Sequence, residues 1–435
     1  MALDATRLRN WATVPAPRWV GGNQVELLQG GEELFPRMVQ AIEAAQREVW
    51  LATYIFHDDP AAVRVADALK QAAARGVAVH LVVDGFGSIA TLPGVRRQFA
   101  GSAVKLEVFR PLDRWYAWLQ PGQLRRLHQK LCVCDEAVAF VGGINLIDDR
   151  HDMNQGWGEA PRLDFAVAIT GPLAPAVQAT ARAMWARAHL WRGWREEVRS
   201  LARSARPVKQ AMALVRELRG APADVNLSGA NVADAADAAA RERQPMRAAF
   251  LVRDNVRQRR TIERSYVEAI RRAHTRVDLA VPYFYPGRSF RQALRAAARR
   301  GVRVRLLMQG KFDYRIAALA ARAVYDDLRD HGVRIYEYMP GPLHAKVALV
   351  DSDWATVGSS NIDPLSLLLN LEANVVVRDA GFATVLAERF ESAFAVSSEI
   401  TGAPQRRGWR RWLHAGLVAW LATVYLRVAG ITGRY

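Results

Sequence analysis

Two segments of this 435-residue chain carry the same His-x-Lys pattern, with the same spacing of polar residues behind it. The first segment reads HQKLCVCD and the second reads HAKVALVD. In both, an Asp stands seven residues after the His, a Gly fourteen residues after it and an Asn seventeen residues after it. Repetition of the whole spacing is a strong signal for a shared chemical purpose. The residues are His128, Lys130, Asp135 and Asn145 in the first segment, and His344, Lys346, Asp351 and Asn361 in the second.

These residue types fit chemistry on a phosphodiester. Such a reaction needs a nucleophile, a proton donor for the leaving oxygen and positive charge around the phosphoryl oxygens. Because alternate residues of a strand face the same side, each His and its Lys would be presented together. Two imidazoles can supply the nucleophile and the acid, while two ammonium groups and the amides of Asn145 and Asn361 can hold the phosphate. This set requires no metal ion, and we expect neither a metal nor another cofactor.

The aspartates and glycines of the motifs are expected to have structural roles in the turns of the backbone. A residue seven positions along an extended strand lies about 23 Å away, at about 3.3 Å per residue. Although Asp135 and Asp351 complete the repeated motif, we therefore expect them to anchor turns or to pair with neighbours. Gly142, Gly143 and Gly358 are expected to form the turns that position the two asparagines.

Lysine is rare in this chain, which makes its place in both motifs informative. Six lysines occur among the 60 basic residues, and two of the six are Lys130 and Lys346. A compact ammonium group is not interchangeable with the planar guanidinium of Arg. The pattern therefore indicates a chemical requirement for Lys at both positions.

Charge and composition limit the kinds of partner and the cellular compartment that can be expected. The formal net charge of +17 favours anionic partners, and both nucleic acid and an anionic membrane face satisfy it. The first 22 residues lack the apolar core of a signal peptide, so neither export nor an N-terminal membrane span is expected. A disulfide between Cys132 and Cys134, two residues apart in a predicted strand, would be strained. That favours a reducing compartment.

An internal repeat sets the architecture. The segment Val39–Phe56 aligns with Val267–Phe284, and Ala66–Gly85 aligns with Arg291–Gly310. Each copy reads as helix, strand, helix and strand before its His-x-Lys motif. The clearest example is a helix over 61–75, closed by a glycine and followed by a strand over 77–84. Alternating helices and strands predict an α/β sheet flanked by helices in each half.

Composition then suggests four regions. The duplicated domains are predicted to cover residues 1–203 and 246–400. An Ala-, Asp- and Arg-rich linker, partly helical or disordered, is predicted over 204–245. Residues 401–435 form a basic, aromatic tail whose apolar stretch is shorter than the roughly 20 residues needed to span a bilayer. It suits a helix lying in the membrane interface; the alternative is a terminal helix packed on its own domain or on a partner.

The duplicated motif resembles the signature of the phospholipase D superfamily, HxKxxxxD with a trailing GG/GS-x-N. The run GSSNIDPLSLLLNLE, from Gly358 to Glu372, extends that resemblance. It implies two similar α/β halves about a pseudo-two-fold axis, with one active site between them. It also implies that one His becomes a phosphohistidine and that carboxylates orient the imidazoles. Glu372 matches the family position for the partner of His344, and Asp164 would correspond to it in the first half.

Within that superfamily the chain is most similar to bacterial cardiolipin synthases of the B type. The segments that carry this similarity are residues 25–59 and 369–379. The resemblance implies transfer of a phosphatidyl group from one phosphatidylglycerol to another, with release of glycerol. His128 would attack phosphorus, and His344 would act as acid and then base; the two roles could be exchanged. An aromatic loop containing Trp115 and Trp118, just before the first motif, could meet lipid or pack beneath the core.

The expected partners are an anionic phospholipid membrane and the substrate phosphatidylglycerol, without nucleic acid; the oligomeric state is open. The expected location is peripheral, on the cytoplasmic face of the inner membrane, where anionic lipid attracts basic residues. Three alternatives remain. They are a hydrolase that releases phosphatidic acid, a phosphodiesterase or nuclease of the same fold, and a membrane-binding protein without catalytic activity.

Overall fold

The computed structural model describes residues 17–111, 125–153, 156–201, 246–254, 258–282, 284–310, 325–362 and 370–401, with backbone alone for 191–201. The predicted linker over 204–245, the aromatic loop around Trp115 and nearly all of the basic tail lie outside the described residues. The predicted domain boundaries at 203 and 246 therefore stay predictions. Among the residues described, no helix combines the length and apolarity needed to cross a bilayer.

The first half begins with a strand and then alternates helices and strands. Its elements are β1 (Gln24–Gln29), α1 (Gly30–Ala44), β2 (Glu48–Thr53), α2 (Pro60–Ala74), β3 (Ala78–Asp84), α3 (Leu92–Phe99), β4 (Lys105–Phe109), β5 (Arg126–Leu127), β6 (Lys130–Cys134), β7 (Val138–Gly142), β8 (His151–Asp152), β9 (Gly156–Trp157), β10 (Phe165–Thr170) and α4 (Ala174–Leu201). The predicted helix over 61–75 and strand over 77–84 are confirmed within one residue as α2 and β3. The strands β1 and β4 were not predicted.

The second half repeats this plan. Its elements are β11 (Arg247–Arg253), α5 (Thr261–Arg272), β12 (Arg276–Ala280), α6 (Arg288–Arg299), β13 (Arg303–Gln309), β14 (Arg334–Tyr338), β15 (Val347–Val350), β16 (Trp354–Gly358), β17 (Asn370–Arg378), α7 (Ala380–Ala395) and β18 (Ser397–Glu399).

The two sheets have the same strand order, which confirms the duplicated α/β fold. The first runs β1-β10-β7-β6-β2-β3-β4, and the second runs β11-β17-β16-β15-β12-β13-β14 with β18 added at its edge. In both, the last three of the seven matching strands pair in parallel and the others pair antiparallel. Strands β6 and β15 hold equivalent central positions in the two sheets. The two His-x-Lys motifs, which lie at the starts of these strands, therefore occupy equivalent positions.

Local sequence explains where α2 starts and stops. Asp59 caps it by accepting a hydrogen bond from the Ala62 backbone N–H, and Pro60 occupies the first turn, where a missing N–H costs nothing. The helix closes at Arg75, and Gly76 follows with φ +92°, a conformation that glycine adopts without strain. Buried Val65 and Leu69, four residues apart, fix the face that packs on the sheet.

Three clusters of buried side chains make up the core. One lies under helices α1 and α2 in the first half, and a second lies under α5 and α6 in the second half. The third contains Val141 and Val167 from the first sheet together with Val357 and Val375 from the second. The inner faces of the two sheets therefore share one core, and this places the two motifs at a common interface.

Candidate active site

Each His-x-Lys segment pairs with a strand of the opposite half. Strand β5, which leads into His128, runs parallel to the start of β17, and the His128 backbone N–H donates to the Leu371 carbonyl at 3.0 Å. In the same way, Leu343 bridges Leu163, and the His344 backbone N–H donates to the Leu163 carbonyl at 2.9 Å. The two halves thus exchange backbone hydrogen bonds at the two histidines.

The carboxylates that hold the imidazoles come from opposite halves. His128 Nδ1 lies 3.0 Å from Glu372 Oε2, and His344 Nδ1 lies 2.6 Å from Asp164 Oδ2. The sequence-based pairing, with Glu372 on His344 and Asp164 on His128, is therefore wrong: the partners are exchanged. The reason is the backbone pairing just described, because Glu372 follows Leu371 and Asp164 follows Leu163.

Burial and charge fix the protonation of these pairs. Although burial alone would raise the pKa of each carboxyl, His128 lowers the pKa of Glu372 and Lys346 lowers the pKa of Asp164. Both side chains are at most 1% exposed. An ionised carboxylate can only accept, so each Nδ1 must carry the hydrogen, and each Nε2 is left with its lone pair.

The imidazoles themselves are held in the neutral form. Burial lowers the pKa of His128, with Glu372 opposing the effect. Burial and the nearby Lys346 ammonium lower the pKa of His344 to about 3. A neutral imidazole with a free Nε2 lone pair is a competent nucleophile or base, so the arrangement suits either histidine for the first attack.

The two lysines are buried beside their histidines. Lys130 Nζ donates to the His128 carbonyl at 2.7 Å, and Lys346 Nζ donates to the His344 carbonyl. Burial lowers the pKa of Lys130 to about 7, while Glu372 opposes that shift. Because a buried ammonium without counter-charge is costly, an anion bound beside these groups would be stabilised by them.

The two asparagines occupy equivalent positions in the two halves, after strands β7 and β16. Asn145 is buried, and its Oδ1 accepts from the Ile55 backbone N–H at 3.3 Å, which directs the amide nitrogen away from Ile55. Asn361 is half-buried, and its Oδ1 has no hydrogen-bond partner among the described residues. The structure places both directly beyond the turns at Gly142–Gly143 and Gly358–Ser360.

Asp135 and Asp351 lie in turns at the other ends of their strands. Both have positive φ, +55° and +53°. The carboxylate of Asp135 accepts from the backbone N–H groups of residues 46–48, and that of Asp351 accepts from those of residues 274–276. Within the described residues, neither contacts a motif histidine. Their contacts are those of turn anchors.

Two side chains at the site were not found from the sequence. The Tyr54 ring lies 5.0 Å from the His128 ring, and Lys130 Nζ lies 5.5 Å from the Tyr54 ring centroid. Ser359 Oγ donates to Glu372 Oε2 at 2.5 Å. The signal for Tyr54 was its position in the repeat, at the end of the strand β2 that neighbours β6.

Comparison with known proteins places the chain in a family. A family model described as the phospholipase D-like domain of cardiolipin synthase matches twice, at residues 38–157 and 266–394. Cardiolipin synthase B of Escherichia coli (strain K12) is 33% identical over 406 residues, which cover 90% of this chain and 86% of that protein. Cardiolipin synthase A of Pseudomonas fluorescens (strain SBW25) is 30% identical, with coverage of 88% and 71%.

A solved structure agrees on the fold. The crystal structure of phosphatidylserine synthase from Haemophilus influenzae Rd KW20 superposes with a TM-score of 0.62 at 13% identity, and covers 98% of this chain and 99% of that one. The chain belongs to the cardiolipin synthase family, with two phospholipase D-like domains. It is accordingly an enzyme of the phosphatidyltransferase type.

Proposed function

We propose that this protein forms cardiolipin from two phosphatidylglycerol molecules through a phosphohistidine intermediate, with release of glycerol. The observation that carries the proposal is the crossed pair of imidazole–carboxylate contacts. Each Nδ1 is occupied by a buried carboxylate from the other half. Both Nε2 atoms are thereby available for chemistry at the interface of the two halves.

In the first step, His128 Nε2 attacks the phosphorus of one phosphatidylglycerol. The bond from phosphorus to the glycerol oxygen breaks, and His344 supplies the proton that leaves with glycerol. The negative charge of the bound phosphodiester raises the pKa of His344 from its low value in the free enzyme, which allows that ring to carry the proton. The product of this step is phosphatidyl-His128 and free glycerol.

In the second step, His344 removes a proton from the terminal hydroxyl of another phosphatidylglycerol. The hydroxyl oxygen attacks phosphorus, the bond from phosphorus to His128 Nε2 breaks, and cardiolipin is released. Lys130, Lys346, Asn145 and Asn361 would stabilise the charge on the non-bridging oxygens in both steps. The same four groups serve both half-reactions because the phosphorus stays in one place.

Membrane binding belongs to the same proposal. The net charge of +17 would draw the protein to anionic lipid, at about 1 kcal/mol for each basic residue near the surface. We infer peripheral binding at the cytoplasmic face of the inner membrane. The basic tail, residues 401–435, would form an interfacial helix beyond domains at 1–203 and 246–400.

The test uses purified full-length protein with phosphatidylglycerol in mixed micelles and product analysis by mass spectrometry. We expect cardiolipin and glycerol in equal amounts from the unmodified protein, and neither from His128→Ala or His344→Ala. His274→Ala, which removes an exposed imidazole, is the matched control and should be fully active. Phosphatidic acid without cardiolipin would contradict the synthase proposal, and cleavage of DNA without lipid turnover would contradict any lipid activity.

A further inference from the structure

A second cluster of imidazoles and carboxylate lies outside the His128–His344 site, where α2 begins and the β8–β9 hairpin starts. The ligand atoms of His57, Asp59 and His151 all lie within 4.8 Å of one another. Asp59 Oδ2 is 3.4 Å from His57 Nδ1 and 3.7 Å from His151 Nδ1. Both Nδ1 atoms are buried, and neither has a hydrogen-bond partner among the described residues. Buried polar atoms left in this state cost free energy unless a ligand satisfies them.

The separations match the coordination shell of a small metal ion. Zinc bonds of about 2.0–2.2 Å to nitrogen and oxygen place neighbouring ligands of a tetrahedron about 3.3–3.5 Å apart. The two measured distances from Asp59 lie within a few tenths of an ångström of that range. Only small side-chain movements would be needed to bind the ion.

Surrounding contacts already fix the direction of each ligand. Asp59 Oδ1 accepts from the Ala62 backbone N–H at 3.0 Å, and its Oδ2 accepts from the Asp148 N–H at 2.8 Å. The His151 ring stacks on Trp157 with centroids 4.9 Å apart, and crosses the His57 ring at 88°. Such supporting contacts are what orients ligands in metal sites.

We propose that His57, Asp59 and His151 bind a divalent transition-metal ion, with Zn²⁺ the best fit. Imidazole nitrogens favour zinc and its neighbours, whereas magnesium and calcium prefer oxygen ligands. The exposed carboxylate of Asp58, with Oδ1 3.3 Å from His57 Nδ1, or a water molecule, completes four-fold coordination. The ion ties the start of α2 to the β8–β9 hairpin.

The tied segments also carry two side chains of the phosphodiester site. Phe56 bridges Leu146, and the His57 backbone N–H donates to the Leu146 carbonyl at 2.8 Å. Tyr54 and Asn145 lie directly beside this pairing. The metal therefore has a positioning role and does not touch the substrate, and the proposal stands independently of the reaction assigned above.

The experiment is a calorimetric titration of chelator-treated full-length protein with ZnCl₂. The unmodified protein and His274→Ala should each bind one equivalent. His57→Ala and His151→Ala should each lose at least about 100-fold in affinity, because losing a direct ligand costs more than losing a partner that orients one, which costs about 10–100-fold. Binding of Zn²⁺ should raise Tm in the unmodified protein and in His274→Ala, and should leave Tm unchanged in the double variant His57→Ala/His151→Ala.

Asp59→Asn guards against a trivial loss through misfolding. Asparagine is as good a helix cap as aspartate, so circular dichroism should be unchanged while zinc affinity falls. The proposal is overturned if the unmodified protein binds no zinc at micromolar concentration. It is also overturned if the folded His57→Ala/His151→Ala variant binds as tightly as the unmodified protein.

Discussion

The two histidines are held in equivalent frameworks that differ in the acidic residue and in one turn residue. Glu372 reaches His128 with the longer side chain, and its Oε2 also accepts from Ser359. Asp164 reaches His344 with the shorter side chain, and its Oδ1 accepts from the Phe165 backbone N–H at 2.8 Å. The residue equivalent to Ser359 is Gly143.

Space explains that difference. A Cβ atom on Gly143 would collide with the carboxylate oxygens of Asp164, so no side chain fits between that turn and the acid. On the other side, Ser359 fills the equivalent place and adds a hydrogen bond. Both half-sites therefore hold an imidazole Nδ1 with a buried carboxylate. One uses Glu with a neighbouring Ser, and the other uses Asp with a neighbouring Gly.

Loss of either imidazole should have the largest effect. His128→Ala and His344→Ala should each lower kcat by about 10⁴-fold or more, because both groups take part in the same proton and phosphoryl transfers. Steady-state rates with phosphatidylglycerol measure this. The double variant should be little worse than either single one. Multiplicative losses would show that the histidines act at separate sites.

Neutralising the carboxylates should come next. Asp164→Asn and Glu372→Gln should each lower kcat by about 10³-fold, because the amide no longer selects the Nδ1–H tautomer or stabilises the imidazolium. Asp164→Asn should be the more severe, since Ser359 offers the Gln amide of Glu372→Gln a second partner. Equal KM values would show that binding is intact. Retention of full kcat in either variant would contradict the orienting role.

Exchanging the turn residues tests the comparison itself. Gly143→Ser should lower kcat about 100-fold, because the new side chain displaces Asp164 and misplaces His344. Ser359→Gly, the matched change in the other half, removes only one hydrogen bond to a carboxylate and should cost about 10-fold. Measured kcat values that reverse this order would show that Asp164 is not confined by the turn.

A pH effect on substrate binding should be smaller still. Because the pKa of Lys130 is lowered to about 7 in the free enzyme, its ammonium is lost as pH rises through that value. The anionic substrate then binds more weakly, so KM should rise several-fold between pH 6 and pH 8.5. These two values lie at least about one pH unit below and above the pKa of about 7. Lys130→Arg, which stays charged, should abolish the rise even if its kcat is low. A KM that is independent of pH in both proteins would contradict the prediction.

The turn aspartates should affect stability and leave catalysis nearly unchanged. Asp135→Ala should lower the free energy of unfolding by about 1–3 kcal/mol, because three backbone N–H groups lose a charged acceptor. Asp135→Asn should cost less, since Asn tolerates positive φ. Thermal unfolding and kcat measured together check this. A large fall in kcat at unchanged Tm would place Asp135 in the site.

Local patterns predicted what local forces decide. The helix over 61–75 followed from its apolar spacing and closing glycine, and the duplicated sheet followed from the repeat between Val39–Phe56 and Val267–Phe284. The strand β1 was missed because its six residues precede the aligned repeat. The strand β4 (Lys105–Phe109) was missed because its five residues lie outside the aligned repeat, between Gly85 and the first motif.

Contacts between segments that are distant in sequence could not be predicted from such local patterns. The exchange of Asp164 and Glu372 depends on the pairing of β5 with β17 and on the bridge between Leu163 and Leu343. These contacts place each acid beside a histidine 180 or 244 positions away, and no spacing within one half reveals them. Ser359 was visible only as part of a turn. The cluster of His57, Asp59 and His151 joins the start of α2 to a hairpin over 90 residues later.

The crossed pairing of imidazoles and carboxylates is the central claim, and nitrogen NMR of ¹⁵N-histidine-labelled protein tests it most directly. His128→Ala and His344→Ala assign the two relevant rings among the nine histidines. We expect Glu372→Gln to shift the Nδ1 signal of His128 and leave that of His344 in place, and Asp164→Asn to do the reverse. The opposite pattern, with Glu372→Gln shifting His344 and Asp164→Asn shifting His128, would contradict the account.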